Sequence, residues 1–166
     1  MEKMSPLQKT TSRRSFLKTS AALAATSFVA THAHTQGGDE LKVGLIGCGN
    51  RGTGAATQAL KADRNVKLWA MADAFEDRLN GSLALMQNDR EIANKIDVPR
   101  ERRHVGFDGY RQVIASCDVV LLCTPPQFRP IHLRAAVQAN KHVFAEKPCA
   151  VDAPGVRSML ETCRDA

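Results

Sequence analysis

Leu41-Lys42-Val43-Gly44-Leu45-Ile46-Gly47-Cys48-Gly49-Asn50-Arg51-Gly52 runs a short apolar strand into three glycines spaced G-x-G-x-x-G, and Ala55 to Leu60 follows at helical spacing. Each glycine has a task in that context. Gly47 permits the tight turn, Gly49 lets the backbone approach a pyrophosphate, and Gly52 lets helix and strand pack closely. The anion then rests on the unpaired N–H groups where the helix opens, at Asn50 and Arg51.

Glycines cluster in many turns, so the motif alone decides little. An acid in the right place adds weight. Asp73 closes the next strand candidate 21 residues after Gly52, where a carboxylate holds ribose hydroxyls. The same residue could cap the helix that begins near Phe75. A carboxylate there accepts a hydrogen bond from a 2′-hydroxyl and repels a 2′-phosphate, so NAD is favoured over NADP. Arg78, five residues on, is placed too far into the following helix to change that preference.

Working outward, short β-like runs alternate with helical ones. Val66 to Met71 is the second strand and Phe75 to Met86 the second helix; a weak third strand falls at His104-Val105. Asp108 to Ala115 reads as a short helix with Asp108 as its cap. Val119-Val120-Leu121-Leu122-Cys123 is apolar throughout, the mark of a strand covered on both faces. Thr124-Pro125-Pro126 stops it. A helix from Pro130 to Ala139 ends at Asn140, a residue that tolerates the left-handed position after a helix. His142 to Ala145 is the fifth strand, and Asp152-Ala153-Pro154 starts the last helix. Such alternation predicts an α/β fold with a doubly wound parallel sheet. Right-handed crossovers give the strand order 3-2-1-4-5. A sixth strand is expected in such a sheet; without it, the pattern reads as truncated.

The 166 residues carry a net charge of +6, of which +2 falls in residues 1–40. The rest has no Lys/Arg block, and aromatic residues are only 5%, so the usual footprint of nucleic-acid binding is missing. Five cysteines without a Cys-x-x-Cys pair give neither a zinc site nor a disulfide framework; buried free thiols acting as small hydrophobes are the expectation. No metal site is expected.

At the N-terminus, Ser12-Arg13-Arg14-Ser15-Phe16-Leu17-Lys18 precedes the ten-residue apolar run Ala21 to Ala30 and small residues near Ala33. The run is half of the roughly 20 residues needed to span a bilayer, so no stable membrane anchor is expected. The pattern resembles a twin-arginine export signal, a receptor-read address. It implies the export machinery as a partner and the periplasm as destination. Residues 1–33 are assigned to this signal and 34–40, with Gly37-Gly38, to a linker.

Thr124-Pro125 after the fourth strand, then Ala136-Val137-Gln138-Ala139-Asn140-Lys141-His142-Val143, then Glu146-Lys147-Pro148 after the fifth, resemble the Gfo/Idh/MocA oxidoreductases over essentially all of residues 41–166. With the twin-arginine pattern, the chain resembles that family's exported branch. The resemblance implies a Rossmann domain over 41–150, with 151–166 opening a helix toward a substrate domain beyond this sequence. It assigns Gly47, Gly49, Gly52 and Asp73 to the cofactor and Thr124 and Pro125 to the nicotinamide side. Glu146 would sit by the nicotinamide ribose, and Lys147 would be the catalytic lysine. An ammonium at the end of a strand can hydrogen-bond a substrate oxygen and help move a proton as hydride passes. The implied substrate is a sugar- or polyol-like small molecule, and a homo-oligomer is compatible with the full-length protein. Two departures stand out. The loop that often carries a histidine reads Gln127-Phe128-Arg129, with His132 falling in the next helix as a structural residue. Asn140 replaces the usual glycine.

Two other readings use the same residues: a stand-alone nucleotide-binding module without catalysis, and a methyltransferase-like domain. Glu146-Lys147-Pro148 argues against the latter.

Overall fold

The computed structural model describes residues 40–166. The signal assigned to 1–33 and almost all of the 34–40 linker lie outside the described residues.

Five strands form one parallel sheet in the order β3-β2-β1-β4-β5, as the alternation predicts. They are β1 (Leu41–Ile46), β2 (Val66–Asp73), β3 (Arg103–Val105), β4 (Val119–Leu122) and β5 (His142–Ala145). The helices are α1 (Asn50–Ala62), α2 (Glu76–Gln87), α3 (Gly109–Ser116), α4 (Arg129–Gln138) and α5 (Ala153–Arg164). Successive side chains on a strand face opposite ways, and the core divides accordingly. Val43, Leu45, Leu68, Met71 and Leu121 pack with Ala56 and Leu60 of α1 and Leu79, Leu83 and Met86 of α2. Ile46, Ala70, Ala72, Val120 and Leu122 pack with Tyr110, Val113 and Ile114 of α3, Leu133 and Ala136 of α4 and Met159 of α5. With both faces covered, β1 from Val43 onward and β4 are apolar without alternation, while Leu41 and Lys42 at the start of β1 are exposed.

Alternation breaks once in β2. Val43 pairs with Leu68 but Gly44 with Ala70, so Trp69 is an extra residue and both Trp69 and Ala70 face α3. The bulge leaves Met71 on the α1–α2 side and Asp73 at the end of the strand. Gly44 has its own reason: a Cβ there would stand 2.4 Å from Val113 Cγ1, so its absence lets α3 sit close to β1.

Helix ends follow their sequence signals in two cases. Asp152 caps α5 by accepting from the Gly155 N–H at 2.7 Å. Asn140 takes φ 53°, while its N–H donates to Val137 O and that of Lys141 to Ala136 O, a Schellman closure. Asp108 differs from expectation. It precedes α3 but adopts helical angles, and its side chain makes no cap. A capping side chain needs an extended backbone; here the turn is made by Gly106 at φ 108°, and the Asp108 carboxylate accepts from Arg111 instead.

The stretch from Asp89 to Arg102 carries no sequence pattern. It folds as two short 3₁₀ turns, Ala93–Lys95 and Arg100–Arg102, which drop Ile92 and Val98 into the core. Arg102 fastens it to the sheet by donating to Trp69 O and Asp97 O, its guanidinium 3.4 Å above the Trp69 ring centre.

All five cysteines are free. Cys48 and Cys117 are buried and Cys123 half-buried, but Cys149 and Cys163 are exposed, so the expectation of buried thiols holds for only part of the set. Burial pushes the Cys117 and Cys123 thiols up to about 11 and Cys48 higher still. All three are protonated at neutral pH and poor nucleophiles. No helix among the described residues is long and apolar enough to cross a membrane.

Candidate dinucleotide site

The loops after β1, β2 and β4 enclose a cavity of about 470 Å³. It lies beside the point where the strand order reverses between β1 and β4, the place where open α/β sheets take their ligands.

Two glycines bring the walls together. Gly47 has φ 96°, and a Cβ on it would meet Thr124 N at 2.6 Å, so the β1 loop touches the β4 loop there. A Cβ on Gly52 would lie 1.9 Å from Gly47 O, so α1 starts hard against the turn that precedes it. Gly49 is the opposite case. The nearest atom to its missing Cβ is Arg78 Nη1 at 3.9 Å, which leaves the loop open toward the cavity. Gly49 holds the N-cap position of α1 and supplies no side-chain cap. The first N–H groups of the helix, on Asn50 and Arg51, therefore have no capping acceptor, which leaves them available to an anion.

Asp73 lines the same cavity. Its carboxylate accepts from the Cys48 N–H at 2.6 Å and the Phe75 N–H at 3.0 Å. The second bond holds the turn that leads into α2 but is no cap, since Phe75 occupies the N-cap position and the helix has no side-chain cap. A carboxylate has about four acceptor positions, and two remain for ribose hydroxyls.

Thr124 and Pro125 form another wall. Beside them His132 is buried, its Nδ1 3.2 Å from Thr124 Oγ1 and its ring tilted by 33° against that of Tyr110 with the centroids 4.3 Å apart. Burial pushes its pKa down to about 4, so the ring is neutral near pH 7 and shares a hydrogen bond with the Thr124 hydroxyl of the wall. Arg129, the last residue of the stretch that lacks the often-seen histidine, opens α4. It is buried, donates from Nη1 to the Pro148 carbonyl and leaves Nε without a partner. The loops after β4 and β5 are thereby tied together.

Two expected cofactor residues are paired with each other. Arg51 Nε donates to Glu146 Oε1 at 2.5 Å, joining α1 to the loop after β5. That bond holds the buried Glu146 carboxyl below the usual carboxylate range, against the effect of burial. Neither side chain lines the cavity, and Lys147 is exposed beyond it. The Lys147–Pro148 peptide bond is cis. Residue spacing alone misplaces Arg78 as too distant: α2 begins so close to the cavity that its third residue reaches in. Phe75 and Phe107, both exposed, also border the opening.

A glycine cradle open at Gly49, unpaired helix N–H groups and a carboxylate at the end of β2 define a dinucleotide-binding α/β domain. The donors fit the group: anion sites on backbone N–H and acceptors for ribose hydroxyls. The model of the Gfo/Idh/MocA oxidoreductase family, its NAD-binding Rossmann fold, matches residues 41–166. The chain belongs to this family. The model of the twin-arginine translocation signal matches residues 10–30. Myo-inositol 2-dehydrogenase of Thermotoga maritima is 30% identical over 128 residues, 76% of this chain and 34% of that protein. Inositol 2-dehydrogenase of Cereibacter sphaeroides is 27% identical over 73% of this chain and 32% of its own length. The structure of apo scyllo-inositol dehydrogenase from Lactobacillus casei superposes with a TM-score of 0.57 at 20% identity, covering 76% of this chain and 33% of that one. The chain thus spans about a third of the length of these relatives.

Proposed function

We propose that residues 41–150 bind NAD(H) in preference to NADP(H), and that the whole protein transfers hydride between this cofactor and a polyol or sugar. The reading rests on the cavity that holds the open Gly49 cradle and Asp73 together. Gly47, Gly49, Gly52 and the N–H groups of Asn50 and Arg51 receive the pyrophosphate, and Asp73 takes the adenine ribose. Thr124 and Pro125 flank the nicotinamide. Glu146 orients the nicotinamide ribose after exchanging part of its contact with Arg51. NAD would supply the hydride acceptor, and Lys147 would hydrogen-bond the substrate oxygen, taking up the hydroxyl proton as hydride leaves and returning it in the reverse direction. Residues 151–166 lead toward the substrate side: α5 lies against α4, Arg134 donating to Ser158 Oγ at 2.7 Å. The inositol dehydrogenases among the relatives support a polyol.

Replacing Asp73 tests the site. Asp73→Ala should weaken NAD binding by at least about 1 kcal/mol, the scale of a charge-assisted hydrogen bond, measured by calorimetry. Asp73→Asn keeps an acceptor for the Phe75 N–H and separates ribose binding from the turn. Unchanged affinity in both variants removes Asp73 from the ribose site. For Lys147, a Lys147→Ala full-length enzyme should keep its NAD affinity and lose polyol-dependent NAD reduction; reduction at the parent's rate would take Lys147 out of the reaction.

Residues 1–33 are proposed as a signal that delivers the protein to the periplasm through the twin-arginine machinery, with 34–40 as linker. A fusion of residues 1–40 to a folded reporter should be exported, and Arg13→Lys with Arg14→Lys should leave nearly all of it in the cytoplasm. Equal export of the doubly substituted fusion would sink the assignment.

A further inference from the structure

Arg129 is the first residue of α4 and only 4% exposed, a place that suits a cation badly. A positive charge in the first turn of a helix opposes the helix dipole. Among the described residues no carboxylate forms an ion pair with it, and its buried Nε has no partner at all. An apolar side chain would fill the same space without taking an unpaired charge out of water. Stability therefore gives no reason for an arginine here. The bond it makes does. Its Nη1 donates to the Pro148 carbonyl, and from Lys147 to Ala150 no other main-chain group bonds to another element. Lys147 thus stands between two fixed points. On one side Glu146 is buried, its N–H donating to Leu122 O of β4 and its carboxylate accepting from Arg51. On the other side is the Pro148 carbonyl, held by Arg129. The Lys147 side chain is exposed, and its ammonium makes no hydrogen bond or ion pair among the described residues. Its reach is therefore set by the main chain that carries it.

We propose that Arg129 is a positioning residue for Lys147: by holding the Pro148 carbonyl, it fixes the main chain from which the Lys147 ammonium meets the substrate oxygen. The proposal rests on the reading of Lys147 given above and goes beyond it, since Arg129 acts through the neighbouring carbonyl and touches no reacting atom. A guanidinium suits the task, being charged at every working pH and donating from a rigid plane. Without it the segment after Glu146 is tied at one end only, and a misplacement of about 1 Å can cost about a hundredfold in rate.

The test is steady-state kinetics of the full-length enzyme with NAD+ and a panel of inositols, hexoses and pentitols, followed on the compound that the parent oxidises fastest. Arg129→Met, which fills the space without a donor, should lower kcat by about ten- to a hundredfold and leave KM for the polyol unchanged. Its NAD+ affinity by calorimetry and its melting temperature should match the parent's. Arg129→Lys, which can still donate to the Pro148 carbonyl, should recover part of kcat. Arg129 also borders the dinucleotide cavity, so a fall in NAD+ affinity alongside kcat would make it a cofactor contact and overturn the proposal. A raised KM at constant kcat would make it a substrate contact, with the same consequence. A lower melting temperature, with Arg129→Lys no more active than Arg129→Met, would leave it a structural residue and overturn the proposal too. Turnover at the parent's rate in Arg129→Met, with Lys147→Ala inactive, would sink this inference alone. Turnover at the parent's rate in Lys147→Ala, or a parent that oxidises nothing in the panel, would sink the reading of Lys147 and this inference with it.

Discussion

Gly52→Ala is expected to destabilise residues 40–166 by about 3 kcal/mol, the upper end of the usual range for over-packing, and to weaken NAD binding at least about a hundredfold. The added Cβ would stand 1.9 Å from Gly47 O, 3.0 Å from Gly47 C and 3.2 Å from Cys123 Cβ. Two of those atoms are backbone in a turn that is itself constrained, because Gly47 sits at φ 96° against Thr124 N. No rotamer can relieve the contact; the start of α1 must move away from β1. That displaces the helix N–H groups from the path of the pyrophosphate, so stability and binding fall together. Gly54→Ala, two residues further into the helix, is the control. No atom lies within 4 Å of its Cβ position, and alanine in a helix interior is better than glycine by about 0.5–1 kcal/mol. That variant should melt higher and bind as before. Thermal unfolding and calorimetry of the pair decide between the outcomes: a Gly52→Ala chain that melts and binds like the parent would show that the loop has slack, and the close-packing account of this glycine would be wrong.

The glycines are legible in the sequence because their constraint is local: a turn, an approach and a contact within one strand–loop–helix unit. The sheet order is legible for a related reason, since covered parallel strands have to be apolar along their length, as Val119 to Leu122 are. What stays hidden depends on geometry across the sequence. Ile92 and Val98 reach the core through 3₁₀ turns that have no period to detect. Trp69 is an extra residue only relative to the β1 register. Arg51 and Glu146, 95 residues apart, meet because α1 and the loop after β5 converge, and nothing in the sequence pairs them. Counting residues from Asp73 misplaces Arg78, because the helix start turns the side chain back into the cavity. Asp108 shows the converse failure: its residue type suits a cap, but the backbone Gly106 imposes does not.

Acid should destabilise the domain through His132 well before the carboxylates protonate. The ring is buried against Tyr110 and beside Thr124, and burial alone pushes its pKa down to about 4, against about 6.5 for an exposed imidazole. The unfolded chain therefore takes up the proton first. The contribution of neutral His132 is whole above about pH 6.5 and is lost progressively as pH falls toward 4. Between those limits the loss amounts to about 3 kcal/mol, from 1.36 kcal/mol per pKa unit. His104, lowered by partial burial, adds in the same direction. Glu146 and Asp89 titrate below the usual carboxylate range, so their protonation falls at the acid end of this window and beneath it. His132→Phe keeps a ring beside Tyr110 and removes the titration, while Thr124 Oγ1, on the cavity wall, can turn to water. Urea unfolding of residues 40–166 at half-unit steps from pH 7 to 4.5 should show stability falling steeply in the parent and much less steeply in His132→Phe, where only the smaller slope from His104 remains. A variant as acid-sensitive as the parent would mean that the buried ring accepts a proton without cost. The loop after β4 would then be held by something other than a neutral His132.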